Sequence, residues 1–434
     1  MIEIEPFCGI VYNQRKLNLA EVVTPPYDMI TPEETERFYK CNPYNIIRLI
    51  LGSPDHKQDW QSRAAIYFRT WLKQGILKKH KKRGIYPYYL YYTMGNTIKR
   101  LRGFITRLRL ESFDKGIIYP HERTFSEIVS ERLKLLKACK ANFSQVFGLY
   151  SDQEHKIIET IDNELPSSPF IQIERDGIRH CVWQLTNEHA ISKIKLLMKN
   201  KKLIIADGHH RYQTALTYKQ QMNNLFPNAP KDASFNYVAV YLTNLEDPGL
   251  NILPSHRLLA DKCIPGFHLA EFLNRINESF EIRHYEDQTI FWKRLNEIGT
   301  HKIAIGFYCQ NQPKFFVFIL REGTMAGKSI PDCLKGLDVV VLTELIIKEI
   351  LNLDEACLRK DIYYISKGQE AVKLIQKGKY KMAFLLNPTK VSQLKEAISE
   401  NQLMPHKSTY FDPKMLTGLV INSLKDEPRR ASLY

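Results

Sequence analysis

The stretch KKLIIADGHHRYQTAL, Lys201 to Leu216, sets an acid, a glycine, two histidines and an arginine between an apolar run and a helix-like segment. Leu203, Ile204 and Ile205 suit a buried strand, while Tyr212, Ala215, Leu216 and Lys219 recur at helical spacing. A strand that turns at glycine into a helix leaves N–H groups unpaired at the helix's positive end, and these favour an anion. With His209, His210 and Arg211 beside Gly208, phosphate is the natural guest. The pattern suits equally well an ordinary strand-to-helix corner, in which Asp207 caps the helix and the histidines are solvated.

Four further clusters carry the same kinds of residue. PHERTFSE places His121, Glu122, Arg123 and Thr124 just before a helix, and ILPSHRL places Ser255, His256 and Arg257 after a strand. MPHKSTYFDPK gathers His406, Lys407, Ser408 and Thr409, the mix of cation and hydroxyl that binds phosphate oxygens. TPPYDMI presents Asp28 beyond a double proline. Singly, each has a plainer explanation in turn chemistry, a helix cap or a surface loop. Arg48, in NPYNIIRL, more readily buries its stem and pairs its charge, and His256 reads as well as a satisfied core histidine. Together the clusters predict that Asp28, His121, Glu122, Asp207, His209, Arg211 and Lys407 line one cleft.

The elements that must position these residues follow from periodicity. Trp60, Ala64, Phe68, Trp71 and Leu72 share a helical face that stops at Gly75. Tyr86 to Thr93 and Ile98 to Leu110 alternate as strands around Gly95-Asn96, predicting a hairpin. A helix is expected over Glu127 to Lys140, and strands over Val146 to Tyr150, Cys181 to Leu185 and Phe235 to Leu245. Residues 151 to 168, polar and proline-bearing, read as an exposed connection. From Pro265 the pattern lengthens into helix and strand alternation through AIGFYCQ, KFFVFIL, VVVLTELIIKEIL and MAFLLNP. The expected division is 1–264 and 265–434, in a mixed α/β chain.

Composition narrows the function classes. At 434 residues the chain has room for two or three domains, and 44% hydrophobic with 25% charged residues describes a globular protein. No apolar run of roughly 18 residues and no basic, apolar leader occurs, which predicts a cytoplasmic protein with no membrane partner. The eight cysteines show no CxxC or other metal-ligand spacing. A formal charge of +15 suits nucleic acid or phosphorylated small molecules. The basic runs KKHKKR and KNKK carry no interleaved aromatics, so a solvated face is their expected meaning.

TPPYDMI, CNPYNIIRL, PHERT, ERLKLLKACKANFSQVFGLY, ADGHHRYQTAL, DPGLNILPSHRL and MPHKSTYFDPK, in this order over nearly the whole chain, resemble a bacterial and archaeal family known as a domain of unknown function. Over about Lys201 to Met222, the strand-DGHHR-helix element also resembles the phosphate-binding box of the ParB and sulfiredoxin fold and its free-L-serine kinases. That resemblance implies a ParB/sulfiredoxin-like nucleotide-binding core with an insertion, and a C-terminal α/β region that returns the MPHKST segment to the site. It implies a kinase using ATP or ADP with Mg²⁺ on a small hydroxyl metabolite, free L-serine leading. In that scheme Gly208, His209, His210, Arg211, Arg48, Arg257, Lys407, Ser408 and Thr409 hold nucleotide phosphates. Glu122 or Asp207, with His121, serves catalysis; Asp28, Thr124 and His256 meet the substrate; Asp28 and Asp207 hold the metal. Two alternatives stay open: a ParB-like nucleotide-binding switch and a nucleic-acid binder. No helix-turn-helix that would read an operator is visible, and the sequence sets no oligomeric state.

Overall fold

A computed structural model of the chain describes residues 1–53, 59–354, 357, 361–400, 402–405 and 407–425. His406 lies outside the described residues. The chain folds as two compact units, one of residues 1–120, 124–251 and 413–434, the other of 121–123 and 252–412. Both are mixed α/β. None of the described helices is long and apolar enough to cross a membrane.

The first unit is built on a nine-stranded mixed sheet. Its centre is Tyr237–Asn244, every residue of which is buried. This strand pairs antiparallel with Thr97–Arg109 on one side and parallel with Val146–Tyr150 on the other. The expected hairpin forms between Tyr86–Met94 and Thr97–Arg109. Ile4–Glu5 joins its second strand, and Ile178–Val182 and Ile171–Arg175 extend the sheet from its first. At the other end, Leu203–Asp207 lies between Val146–Tyr150 and Ile118–Tyr119. The expected helices are present at Trp60–Lys73 and Ser126–Cys139, and a further helix spans Glu188–Met198.

One expectation fails here. Residues 151 to 168 are not simply an exposed connection, because Lys156–Asp162 is a helix whose Ile157, Ile158 and Ile161 are buried in the main core. Lys156 and Glu159 face outward, and a single helical turn of three isoleucines is too short for periodicity to separate from a loop.

The second unit is an antiparallel six-stranded sheet in the order Phe280–Tyr285, Phe315–Leu320, Ala304–Cys309, Met382–Leu385, His256–Leu259 and Ile362–Ile365. Helices Gln288–Gly299 and Gly368–Gln376 cover it through Phe291, Leu295, Ala371, Val372 and Ile375, which meet Val317, Ala383 and Leu385. Asp338 is half-buried in this unit and accepts a hydrogen bond from Asn387 Nδ2 at 3.1 Å.

Burial pushes the Asp338 carboxyl up from 3.8 to about 7. The folded chain therefore keeps a proton that the unfolded chain releases from about pH 4 upward. The stability this supplies is complete below pH 3.8 and is lost as pH rises through 7. Asp338→Asn is expected to gain stability relative to the wild type progressively between pH 4 and 7 in parallel thermal melts. A pH-independent difference would contradict this.

Candidate functional site

The DGHHR corner has the expected strand-to-helix form. Leu203–Asp207 ends in a bulge between Ile205 and Asp207, which redirects the last side chain, and the helix His209–Leu225 begins at once. Gly208 turns the chain in the left-handed region at φ 85° and ψ 30°. A Cβ at this position would lie 2.8–2.9 Å from the Arg211 guanidinium, so backbone and packing both require glycine. No side chain caps the helix.

Asp207 is held between two cations. Its Oδ2 accepts from Arg211 Nη2, and its Oδ1 accepts from Lys414 Nζ at 2.7 Å. Arg211 also donates from Nη1 to the Gln145 carbonyl. The three charged side chains are only 11–14% exposed, so their Coulombic interactions are less screened than those of a surface pair. Two cations to one carboxylate, added to the helix dipole, leave the corner electropositive.

Around this group the sequence boxes fall into place unevenly. Tyr27, of the TPPYD box, lies under the Arg132 guanidinium at 4.4 Å. Burial first, then the nearby Asp28 charge, raises its hydroxyl to about 12, with Arg132 and Arg211 opposing. Asp28 itself is exposed on the short turn Tyr27–Met29. His210 is turned away from a phosphate role at one nitrogen, because Nε2 accepts from the Phe125 N–H at 3.0 Å. That bond ties the corner to the start of the 126–139 helix, immediately after the half-buried Thr124. His209 is buried in the first turn. Arg48 takes the packing role weighed for it, donating from Nη2 to the Tyr39 carbonyl at 2.7 Å with its guanidinium over the Tyr39 ring.

In the second unit His121 is fully buried. Its Nε2 lies 2.8 Å from Thr409 Oγ1 and 3.7 Å from Glu122 Oε1. Met404 N donates to the His121 carbonyl, so the PHERT and MPHKST boxes are joined by backbone as well as side chain. Ser408 Oγ donates to the Pro405 carbonyl at 2.5 Å and is buried, which gives that hydroxyl a structural task. Arg257 donates to the carbonyls of Ser255 and Lys407, at 2.6 and 3.4 Å, and lies 5.3 Å from the Tyr364 ring. Burial pulls it down to about 10, opposed by Tyr364 and Glu122, so it stays charged at neutral pH. Its Nε is buried without a hydrogen-bond partner.

The SHR box does not act as one cluster. His256 and Arg257 are consecutive on His256–Leu259, so their side chains leave opposite faces of the sheet. Arg257 meets Tyr364, whereas His256 lies beside Trp292, with Nδ1 accepting from the Leu386 N–H at 3.0 Å. Burial lowers the His256 pKa to about 3 and keeps it neutral. It is a satisfied core histidine rather than Arg257's companion.

Among the described residues no group of three His, Cys, Asp or Glu side chains could hold a metal. Magnesium does not fit Asp207 as it stands, because both oxygens are matched to cations and an ion there would displace Arg211 or Lys414. Three participants in the corner went unassigned by sequence: Lys414, Arg132 and Gln145. Lys414 stood inside the MPHKSTYFDPK box, but nothing local distinguishes it from Lys407. Arg132 and Gln145 carry no local signal, since Arg132 donates to the remote Ile50 carbonyl and Gln145 takes part through its backbone carbonyl, which accepts from Arg211.

The profile of a family described as "Protein of unknown function (DUF1015)" matches residues 4–340. The chain belongs to the DUF1015 family. The match takes in TPPYD, PHERT, ADGHHR and LPSHRL and stops short of MPHKST. No curated protein matches this DUF1015 chain. Among solved structures it is similar to a conserved hypothetical protein from Pyrococcus furiosus, with 12% identity, TM-score 0.36, and coverage of 71% of this chain and 92% of that one. It is similar to a free serine kinase mutant in complex with AMP, at 12% identity, TM-score 0.36, and 70% and 89% coverage. A C-terminally truncated SbnI from Staphylococcus aureus gives 9% identity, TM-score 0.35, and 72% and 88% coverage.

Gly208→Ala tests the corner. Forcing a Cβ into the left-handed region and against the Arg211 guanidinium is expected to cost about 1–3 kcal/mol in urea unfolding. An unchanged midpoint would mean that the turn is not required.

Proposed function

We propose that this chain is a nucleotide-dependent phosphotransferase acting on a small hydroxyl metabolite, with free L-serine the leading acceptor and ATP or ADP the donor. The observation that carries the proposal is the electropositive corner: an uncapped helix N-terminus behind a left-handed glycine, with Arg211 and Lys414 on one carboxylate. Phosphate oxygens favour such a place because backbone N–H groups, the helix dipole and fixed cations act together. The likeness of the DGHHR run to that of free-L-serine kinases supplies the acceptor.

In the proposed reaction, Gly208, His209 and Arg211 take the nucleotide phosphates, and an arriving phosphate competes with Asp207 for Arg211 and Lys414. Asp207 is thereby released as an acceptor. Glu122 serves as the carboxylate that accepts the proton of the acceptor hydroxyl, oriented through His121 and Thr409. The buried Arg257 guanidinium is close enough to Glu122 for the two charges to interact. Asp28, exposed on its turn, and Thr124 are proposed to meet the substrate. Phosphoryl transfer is mainly positioning and charge neutralisation, so these groups suffice without a covalent intermediate.

The phosphate and acceptor roles separate kinetically. Lys414→Ala is expected to weaken nucleotide binding roughly tenfold, as loss of one charge-assisted contact does. Glu122→Gln is expected to leave binding nearly intact and slow transfer by roughly 10²–10⁴, the range of general-base contributions. The assay measures phosphorylated product from serine, homoserine and glycerate with saturating nucleotide and magnesium. Tight nucleotide binding with no product from any acceptor would contradict the transferase proposal.

A further inference from the structure

A cavity of about 1450 Å³ lies at the opposite end of the His209–Leu225 helix from the DGHHR corner, within the first unit. It exceeds the roughly 300–1,000 Å³ typical of small-molecule sites, and it is an open cleft rather than an enclosed chamber. Among the described residues, Lys79, Lys81, Arg83, Arg107, Lys140 and Lys425 line it, against a single acid, Asp232. The KKHKKR run, whose sequence suggested only a solvated face, supplies half of these cations. The aromatics absent from that run come from elsewhere in the chain: Phe226 and Phe235 stand in the same cleft, beside Leu225. Leu225 is 68% and Phe226 54% exposed, although both are large and apolar. Surface placement of such side chains in a basic cleft is uneconomical for a wall that meets only water.

We propose that this cleft binds a single-stranded nucleic acid segment. Two features of the lining select that partner. Clustered cations along a groove suit a chain of phosphates, and the exposed Phe226 ring, with the half-buried Phe235 also in the lining, suits an unpaired base, whose face stacks on an aromatic. An acidic protein would match the charge but leave the rings without flat partners. A lone small anion would use neither the length nor the apolar wall. The proposal stands apart from the phosphotransferase reading, since it uses none of the corner or the His121 group, and it accounts for part of the +15 charge.

The test is fluorescence anisotropy of the full chain with a labelled single-stranded oligonucleotide of about 12 residues, over a series of salt concentrations. Binding is expected to weaken with salt at about 0.7 logarithmic units per phosphate neutralised. Reversing Lys79, Lys81 and Arg83 to Glu is expected to reduce that slope by about 2, from three lost contacts at this increment. Phe226→Ala is expected to weaken binding roughly tenfold with the slope unchanged, as loss of base stacking does. Lys293, Lys302 and Lys314 of the second unit, reversed together, form the control for net charge and are expected to leave the slope intact. Equal loss in the control would assign binding to diffuse charge and overturn the proposal. So would the absence of binding at low salt, or competition by inorganic polyphosphate on which Phe226→Ala has no effect.

Discussion

The corner of the first unit depends on one electrostatic arrangement: the Asp207 carboxylate held by Arg211 and Lys414 over a glycine that has no room for a side chain. Asp207 and Lys414 are 207 residues apart in sequence, so this pairing fixes the C-terminal return of the chain onto the first unit. Breaking a partly buried pair leaves a charge stranded, whereas exchanging one anion for another preserves it. In the proposed reaction a phosphate that takes over Arg211 and Lys414 keeps those cations paired, while the displaced Asp207 carboxylate has to find a new partner.

Much of this was legible in the sequence, for identifiable reasons. The 203–207 strand, the turn at glycine and the following helix were readable because β-branched residues, glycine and helical spacing are local signals. The Tyr86–Met94 and Thr97–Arg109 hairpin was readable for the same reason, with Gly95 and Asn96 at its turn. The short Lys156–Asp162 helix was not, because three isoleucines in one polar stretch do not define a period. The division of the chain could not be read from composition either: His121–Arg123 belong to the second unit although both neighbouring segments belong to the first.

Site residues obey the same logic. Residue type marked the boxes that matter, but the partner of each residue depended on contacts that sequence does not encode locally. Asp207 could be read as a helix cap or a site acid, and the choice fell to Lys414, which arrives from the far end of the chain. His256 and Arg257 looked like one cluster until strand alternation sent them to opposite faces. KKHKKR lacked aromatics in sequence and acquired them in space from the segment after the long helix. In each case chemistry was visible and company was not.

The central claim is that the Gly208 corner receives the phosphates of a nucleotide. Selective ¹⁵N-glycine labelling of the full chain gives one backbone amide signal for each of its 20 glycines, and the Gly208→Ala spectrum identifies the one that matters. Titration with ATP or ADP in the presence of magnesium is predicted to move the Gly208 signal saturably, and inorganic phosphate to move it in the same direction. A Gly208 signal that stays fixed while nucleotide binds, with shifts instead at Gly84 beside the basic run, would contradict the account.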